Sequence, residues 1–216
     1  MLATDIFTLN AALSATIEEQ VVATLNDMRP LWDPDKKYQS YIFVRQTQTF
    51  PDVLLRRKTN GQEIIMGIEL KGWYLLAKEG MPNFRFTVNK NACNPQDLIV
   101  VVPWALSNVL AGAPVVYSPL IELARYAAEQ RNYYWKNERD TDADSAIIEP
   151  TGVKPYPTKS DQISDKAKSD SGGNFGRLAR YGTMSGYIKE AMDVKIRGIE
   201  AKQWLTFFKQ FKEGTS

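Results

Sequence analysis

Asp52, Glu69 and Lys71 are two acids and a base whose types and spacing suit hydrolytic chemistry. They stand in Phe50-Pro51-Asp52-Val53-Leu54-Leu55 and in Ile64-Ile65-Met66-Gly67-Ile68-Glu69-Leu70-Lys71, with Thr59-Asn60-Gly61-Gln62 between. Brought together, two carboxylates hold a hard divalent cation such as Mg2+, which takes oxygen ligands and keeps several waters. Such a cation stabilises charge on a phosphate and lowers the pKa of a bound water. The lysine orients or deprotonates that water, or stabilises the phosphorane. As a base it needs a depressed pKa, which burial and a nearby cation can give. The set is the minimum for cutting a phosphodiester. Asp52 and Glu69 are the expected metal ligands, the Leu70 backbone carbonyl a third, and Mn2+ a substitute for Mg2+.

The elements around these residues read as a hairpin. Asn60-Gly61 between two apolar runs predicts a tight turn, because both residues tolerate positive φ. Val53-Leu54-Leu55 and Ile64 to Ile68 carry the side chains of a buried sheet. Alternation along the second strand puts Glu69 and Lys71 on one face and Leu70 in the core. Pro51 is tolerated at a strand start. The competing reading makes Asp52 a turn residue and Glu69–Lys71 a surface ion pair.

Pro51-Asp52 followed by Glu69-Leu70-Lys71 across a hairpin resembles the PD-(D/E)XK nuclease superfamily. The motif covers positions 51–71, and the element order extends the likeness to roughly residues 14–130. The resemblance implies an α/β (α+β) fold with a restriction-endonuclease-like core, a central mixed β-sheet flanked by helices in αβββαβ order. It also implies that Asp52 and Glu69 bind the cation and Lys71 assists the water. Many relatives carry a glutamate on the first helix that points at the site; Glu18 is the candidate here.

Composition excludes other chemistries. The chain has 216 residues and no histidine, which removes Ser-His-Asp and Cys-His catalysis and histidine-ligated zinc. No P-loop glycine motif is present, so no nucleotide cofactor is expected. The lone Cys93 forbids an intrachain disulfide and suits a reducing, cytoplasmic setting, with packing as its role. No apolar run approaches the ~20 residues of a membrane helix, and Asp5 precedes any Lys or Arg, unlike a signal peptide. Residues 151–216 hold 12 Lys/Arg against 7 Asp/Glu, while residues 1–150 hold 15 against 18. A basic C-terminal third beside an acidic half suits a protein that grips phosphates away from its cation.

Three regions are expected: a nuclease core over 1–135, a loop or insertion over 136–175 that reads as mobile, and a helical segment over 176–216 that packs on the core or forms a dimer interface. Ala12 to Met28 predicts the first helix, capped near Ser14, with Ile17, Val21, Leu25 and Met28 as its stripe. Tyr41–Val44 predicts a strand. Phe84–Val88 predicts a short strand or extended loop. Leu98–Val102 predicts a buried strand ended by Pro103, and Pro114–Tyr117 a further strand. Pro119 is predicted to open a helix through Leu120, Leu123, Ala124, Ala127 and Ala128. A helix over Gly176–Met192, an edge strand at Val194–Ile196 and an amphipathic helix over Ile199–Phe211 complete the chain. Arg85, Lys159, Lys166, Lys168, Asn174, Arg177 and Arg180 are candidates for contacting nucleic acid, as are Arg125, Arg131 and Asn132 on the predicted helix; basic residues beside aromatics and glycines can track a phosphate backbone.

The reading that follows is a Mg2+-dependent endonuclease acting on DNA, of restriction type. One site cuts one strand, so duplex cleavage calls for a two-fold homodimer. The alternatives are a structure-selective or repair nuclease with the same chemistry, and a catalytically silent nucleic-acid-binding protein on the same fold.

Overall fold

A computed structural model describes residues 3–59 and 61–213, with side chains at 13, 16–59 and 61–210. Its centre is a mixed sheet. Strands β1 (Tyr41–Arg45), β2 (Val53–Arg57) and β3 (Ile64–Tyr74) form an antiparallel meander, and β4 (Leu98–Leu106) runs parallel to β3. Strands β5 (Pro114–Val116) and β6 (Leu120–Leu123) both pair antiparallel with the far side of β4.

Alternation divides the apolar residues between two cores. Phe43, Val53, Leu55, Ile68 and Leu70 face one side of the sheet, where Val21, Val22 and Leu25 of α1 (Ala3–Asp27) pack on them. Trp73, Ile99 and Val101 face the other side. That side is covered by Ala124, Ala127 and Ala128 of α3 (Ala124–Tyr133) and by residues from 175 onward. No described helix is long and apolar enough to cross a membrane.

The mixed sheet flanked by helices was legible in the sequence; several details differ. α1 starts before Ala12, so Ser14 lies within it and Glu18 and Glu19 sit past its middle rather than in a first turn. Arg29–Trp32, with Pro30 inside it, is a short second helix, α2. The hairpin turn spans 58–63 instead of two residues. Gly61 takes φ +63°, as a turn requires, while Asn60 lies outside the described residues. A bulge between Leu55 and Arg56 shifts the register there.

The connection from β3 to β4 holds no α-helix, only a 3-10 turn at Lys90–Ala92, whereas the αβββαβ order anticipates a helix there. Pro82, Pro95 and the asparagines at 83, 89, 91 and 94 favour turns over a helix. Asn89 caps the 3-10 turn by accepting from the Asn91 amide at 2.8 Å. Pro103 does not end β4: it lies between the positions paired to β6 (98–101) and those paired to β5 (104–106), where neither strand calls on its missing amide.

Leu120–Leu123 is strand, not the start of a helix. β4 offers an open edge there, and Leu120 and Ile121 pair with Val101 and Val100; tertiary pairing overrides local helical spacing. The Phe84–Val88 segment is extended, with one bridge from Val88 to Ser164. Gly182 at φ +79° splits the predicted 176–192 helix, leaving a 3-10 turn at Leu178–Arg180 and helix α4 (Ser185–Met192).

Within 136–175, strands β7 (Ile147–Ile148) and β8 (Lys166–Ala167) pair, and Asp165 is buried. Strands β9 (Lys195–Ile196) and β10 (Ile199–Glu200) form a separate small hairpin before α5 (Ala201–Glu213). Met184, Ala191, Met192, Ala201 and Leu205 join the larger core, so the C-terminal segment packs on the body of the protein. Phe207 is exposed on α5, and the Phe211 side chain lies outside the described residues.

Candidate active site

The register of β2 on β3 builds the site. Val53 pairs with Ile68 and Leu54 with Gly67, so one step further Asp52 stands opposite Glu69 at the end of the hairpin. Along β3 successive amides point to opposite edges. The Gly67 amide points toward β4 and donates to Asp97 Oδ1 at 2.7 Å. The Leu70 amide points toward β2 and donates to Asp52 Oδ2 at 2.7 Å. Its carbonyl lies on the same edge, since both groups of one strand residue do. The facing position is Pro51, which has no amide to give it. That leaves the Leu70 carbonyl available as the third oxygen.

Gly67 permits this closeness. A Cβ there would lie 2.1 Å from Pro51 Cγ, so only a bare backbone lets the residue before Asp52 lie against β3.

Glu69 and Lys71 share the face opposite Leu70, as alternation requires, and Lys71 Nζ lies 2.6 Å from Glu69 Oε1. Glu69 is only 7% exposed although charged. Glu18 reaches the same end of the sheet from α1. It is held by Arg45 Nε at 2.6 Å, and its charge acts on both Asp52 and Lys71. Asp52, Glu69 and Lys71 therefore meet, and Glu18 lies close enough for its charge to act on Asp52 and Lys71.

Electrostatics at this end are dominated by crowded acids. Burial first, then the Glu69 charge, push the Asp52 carboxyl up to about 7, against the Leu70 hydrogen bond and the Lys71 charge. Burial alone would lower the Lys71 ammonium. The Glu69 charge and hydrogen bond, with Asp52 and Glu18, outweigh burial and hold it above its usual value. Without a metal ion, Lys71 is thus a fixed cation that orients or stabilises charge, not the depressed-pKa base that one sequence reading required.

Two acids with a single lysine between them are short of positive charge. Among the described residues no group of three or more Asp, Glu, Cys or His side chains could hold a metal ion. The available donors are two carboxylates and a backbone carbonyl. That set fits Mg2+, which binds through one or two carboxylates and keeps several waters.

A cavity of about 300 Å3 opens on Asp52 and Glu69. One wall is the β1–β2 loop at Gln48, Thr49 and Phe50; the other is residues 157–163. A larger cavity, about 650 Å3, is lined by 149–157 and 161–163 and shares Pro157, Asp161 and Ile163 with the first. Sequence reasoning did not bring Gln48, Asp161 or Asp97 to the site. Nothing in their local pattern marks them; Gln48 comes from the loop just before Asp52, while Asp97 and Asp161 arrive through long-range packing. Asp97 accepts from the Gly67 and Asn94 amides at 2.7 Å each and from Tyr156 Oη at 3.1 Å, linking β3 to the 157–163 wall.

The other candidates divide. Arg85, Asn174, Arg177 and Arg180 gather about the 170–177 turn: Arg85 lies 3.9 Å from Asp170, Arg177 Nε donates to the Gly173 carbonyl at 2.9 Å, and Arg180 bonds Asn174. Gly173 takes φ +62°, which favours glycine, and Arg85 Nη2 lies 1.8 Å from where its Cβ would stand. Lys166 is exposed on β8, and Lys168 just after it pairs with Asp144 at 2.7 Å.

Arg131 and Asn132 face inward and are not nucleic-acid contacts. Arg131 is fully buried, donating to the Phe86 and Val88 carbonyls at 2.8 and 3.0 Å and to Asp165. Asn132 Nδ2 also donates to Asp165, at 3.0 Å. Arg125 donates to the Cys93 carbonyl at 2.8 Å. Cys93 is buried, and burial pushes its thiol up to about 12, which fits a packing role.

In comparison with known proteins, no family model matches this chain and no curated protein matches it.

Proposed function

We propose that this chain is a Mg2+-dependent endonuclease that hydrolyses DNA phosphodiester bonds, a restriction-type enzyme with a PD-(D/E)XK, restriction-endonuclease-like core. The observation that carries the reading is the meeting of Asp52 and Glu69 at one end of the β2–β3 hairpin, with Lys71 bonded to Glu69 and a cavity in front. A buried acid raised to about 7 beside a second acid is a site in want of a divalent cation.

Asp52, Glu69 and the Leu70 carbonyl would hold Mg2+. When bound, it neutralises charge on the phosphate and lowers the pKa of a coordinated water. Lys71, held by Glu69, orients the attacking water and stabilises charge developing on the phosphate. The Leu70 amide fixes the Asp52 carboxylate through Oδ2. Glu18, held by Arg45, adds negative charge at the edge of the site. Duplex cleavage uses two copies of the chain, one per strand.

The test is incubation of plasmid, nicked and four-way-junction DNA with Mg2+, comparing the wild type with Asp52→Ala and Lys71→Ala. Cleavage by the wild type, reduced about 10^2-fold or more in each variant, is expected. A preference for junctions or nicks over plasmid assigns the same chemistry to a structure-selective enzyme. Identical behaviour of all three proteins refutes the catalytic assignment.

A further inference from the structure

The wall formed by residues 157–163 is anchored at both ends. Beyond it, Asp165 is buried against Arg131, with Asn89 Nδ2 at 2.6 Å and Asn132 Nδ2 at 3.0 Å, and the Asn89 amide donates to the Ile163 carbonyl at 2.7 Å. Before it, Tyr156 Oη bonds Asp97, which also holds the Gly67 amide of β3. The tip is a closed turn. Asp161 Oδ2 accepts from the Thr158 amide at 2.7 Å, and the Asp161 amide returns a bond to the Thr158 carbonyl at 3.1 Å.

Lys159 stands on that turn and lines the same cavity as Asp52 and Glu69. Its Nζ donates to Gln48 Oε1 at 2.9 Å across the cavity mouth. Gln48 sits at φ +61°, a left-handed conformation that a glutamine rarely adopts. Among the described residues no carboxylate forms an ion pair with Lys159; its recorded partner is a neutral amide. An exposed ammonium, aimed across the mouth of a two-acid cavity by a neutral side chain, is ready to exchange that amide for an anion.

We propose that Lys159 is a phosphate-positioning residue: it leaves Gln48 and binds a non-bridging oxygen of a backbone phosphate on the strand that enters the cavity. The inference rests on the nuclease reading and deepens it. Lys159 contacts a phosphate beside the one being cut, which fixes the register of the strand over Asp52 and Glu69 without taking part in the chemistry. Gln48 parks the lysine when no strand is bound.

The experiment compares wild type, Asp52→Ala, Lys159→Ala, Lys159→Arg and Gln48→Ala on one duplex oligonucleotide. Cleavage kinetics are measured with Mg2+, and binding is measured by fluorescence anisotropy in EDTA over a salt series. Lys159→Ala is expected to raise KM about tenfold with kcat within about twofold. It should also reduce the slope of log K against log salt by about 0.9, the value of one duplex phosphate contact. Lys159→Arg should restore the slope, which a purely structural role would not require, and Gln48→Ala should leave the slope unchanged. Equal melting midpoints for wild type and Lys159→Ala exclude misfolding as the cause. If the wild type cleaves, Asp52→Ala does not, and Lys159→Ala keeps the wild-type KM and slope, the Lys159 role is overturned while the nuclease reading stands. If the wild type does not cleave, the nuclease reading falls and this inference falls with it.

Discussion

Asp52→Asn should make the metal-free protein more stable at pH 8 while abolishing cleavage. The amide keeps an oxygen for the Leu70 N–H that Asp52 Oδ2 now accepts at 2.7 Å, and it removes one of two acids facing each other. Asp52 is held at about 7 in the fold against an ordinary carboxyl value of 3.8. A folded value above the unfolded one means that the native state binds the proton more tightly. The group's contribution is therefore fully present below its unfolded value and is lost as pH rises through about 7.

The whole gap corresponds to a ceiling of about 4 kcal/mol at pH 8. Partial exposure and relaxation should leave roughly 1–3 kcal/mol to be recovered by the substitution. At pH 5 the wild-type carboxyl is largely protonated in the fold, so the advantage of Asn should shrink to less than half. Urea unfolding in EDTA at pH 5 and pH 8 measures both values. Adding Mg2+ should narrow the gap, and reverse it where the Asn advantage lies at the low end of that range. At about 100 times its Kd it should stabilise the wild type by about 2.7 kcal/mol and the variant by less. An Asn variant less stable than wild type at pH 8, or a difference that does not change with pH, refutes the picture of a strained acidic pair.

Gly67→Ala should destabilise by about 1–3 kcal/mol in the same assay, because its Cβ would lie 2.1 Å from Pro51 Cγ. It should also lower cleavage by moving Asp52, whereas a protein of unchanged stability would show that Pro51 moves aside freely. Lys71→Met leaves Asp52 and Glu69 without their cation. It should lose about 1–3 kcal/mol at pH 8 and recover part of it at pH 5, as Asp52 takes up its proton. Asp165→Ala strands the fully buried Arg131 guanidinium and should cost about 3–5 kcal/mol, read from urea midpoints. A loss under about 1 kcal/mol would mean that water reaches Arg131 in that variant.

The residue types and their alternation were enough to identify the hairpin, to put Glu69 and Lys71 on one face with Leu70 behind them, and to single out the acids that meet. Strand periodicity is a local property, and a hairpin links positions close in sequence, so the ends of β2 and β3 can be matched by counting. Ile17, Val21 and Leu25 of the α1 stripe were legible for the same reason, and with them the side of the helix that carries Glu18, whereas Met28 lies past the helix end and is exposed.

Tertiary structure alone decided the rest. Leu120–Leu123 has helical spacing but becomes strand because β4 presents an unpaired edge. Pro103 stays within β4 because it falls between two partners. Arg131 looked like a surface cation and is instead the buried partner of Asp165, 34 residues away. Lys159 reaches Gln48 across 111 residues of sequence. Local sequence encodes which face of an element is apolar; it does not encode which distant segment will fill the space opposite. That is why the pair of acids was readable and the wall that encloses it was not.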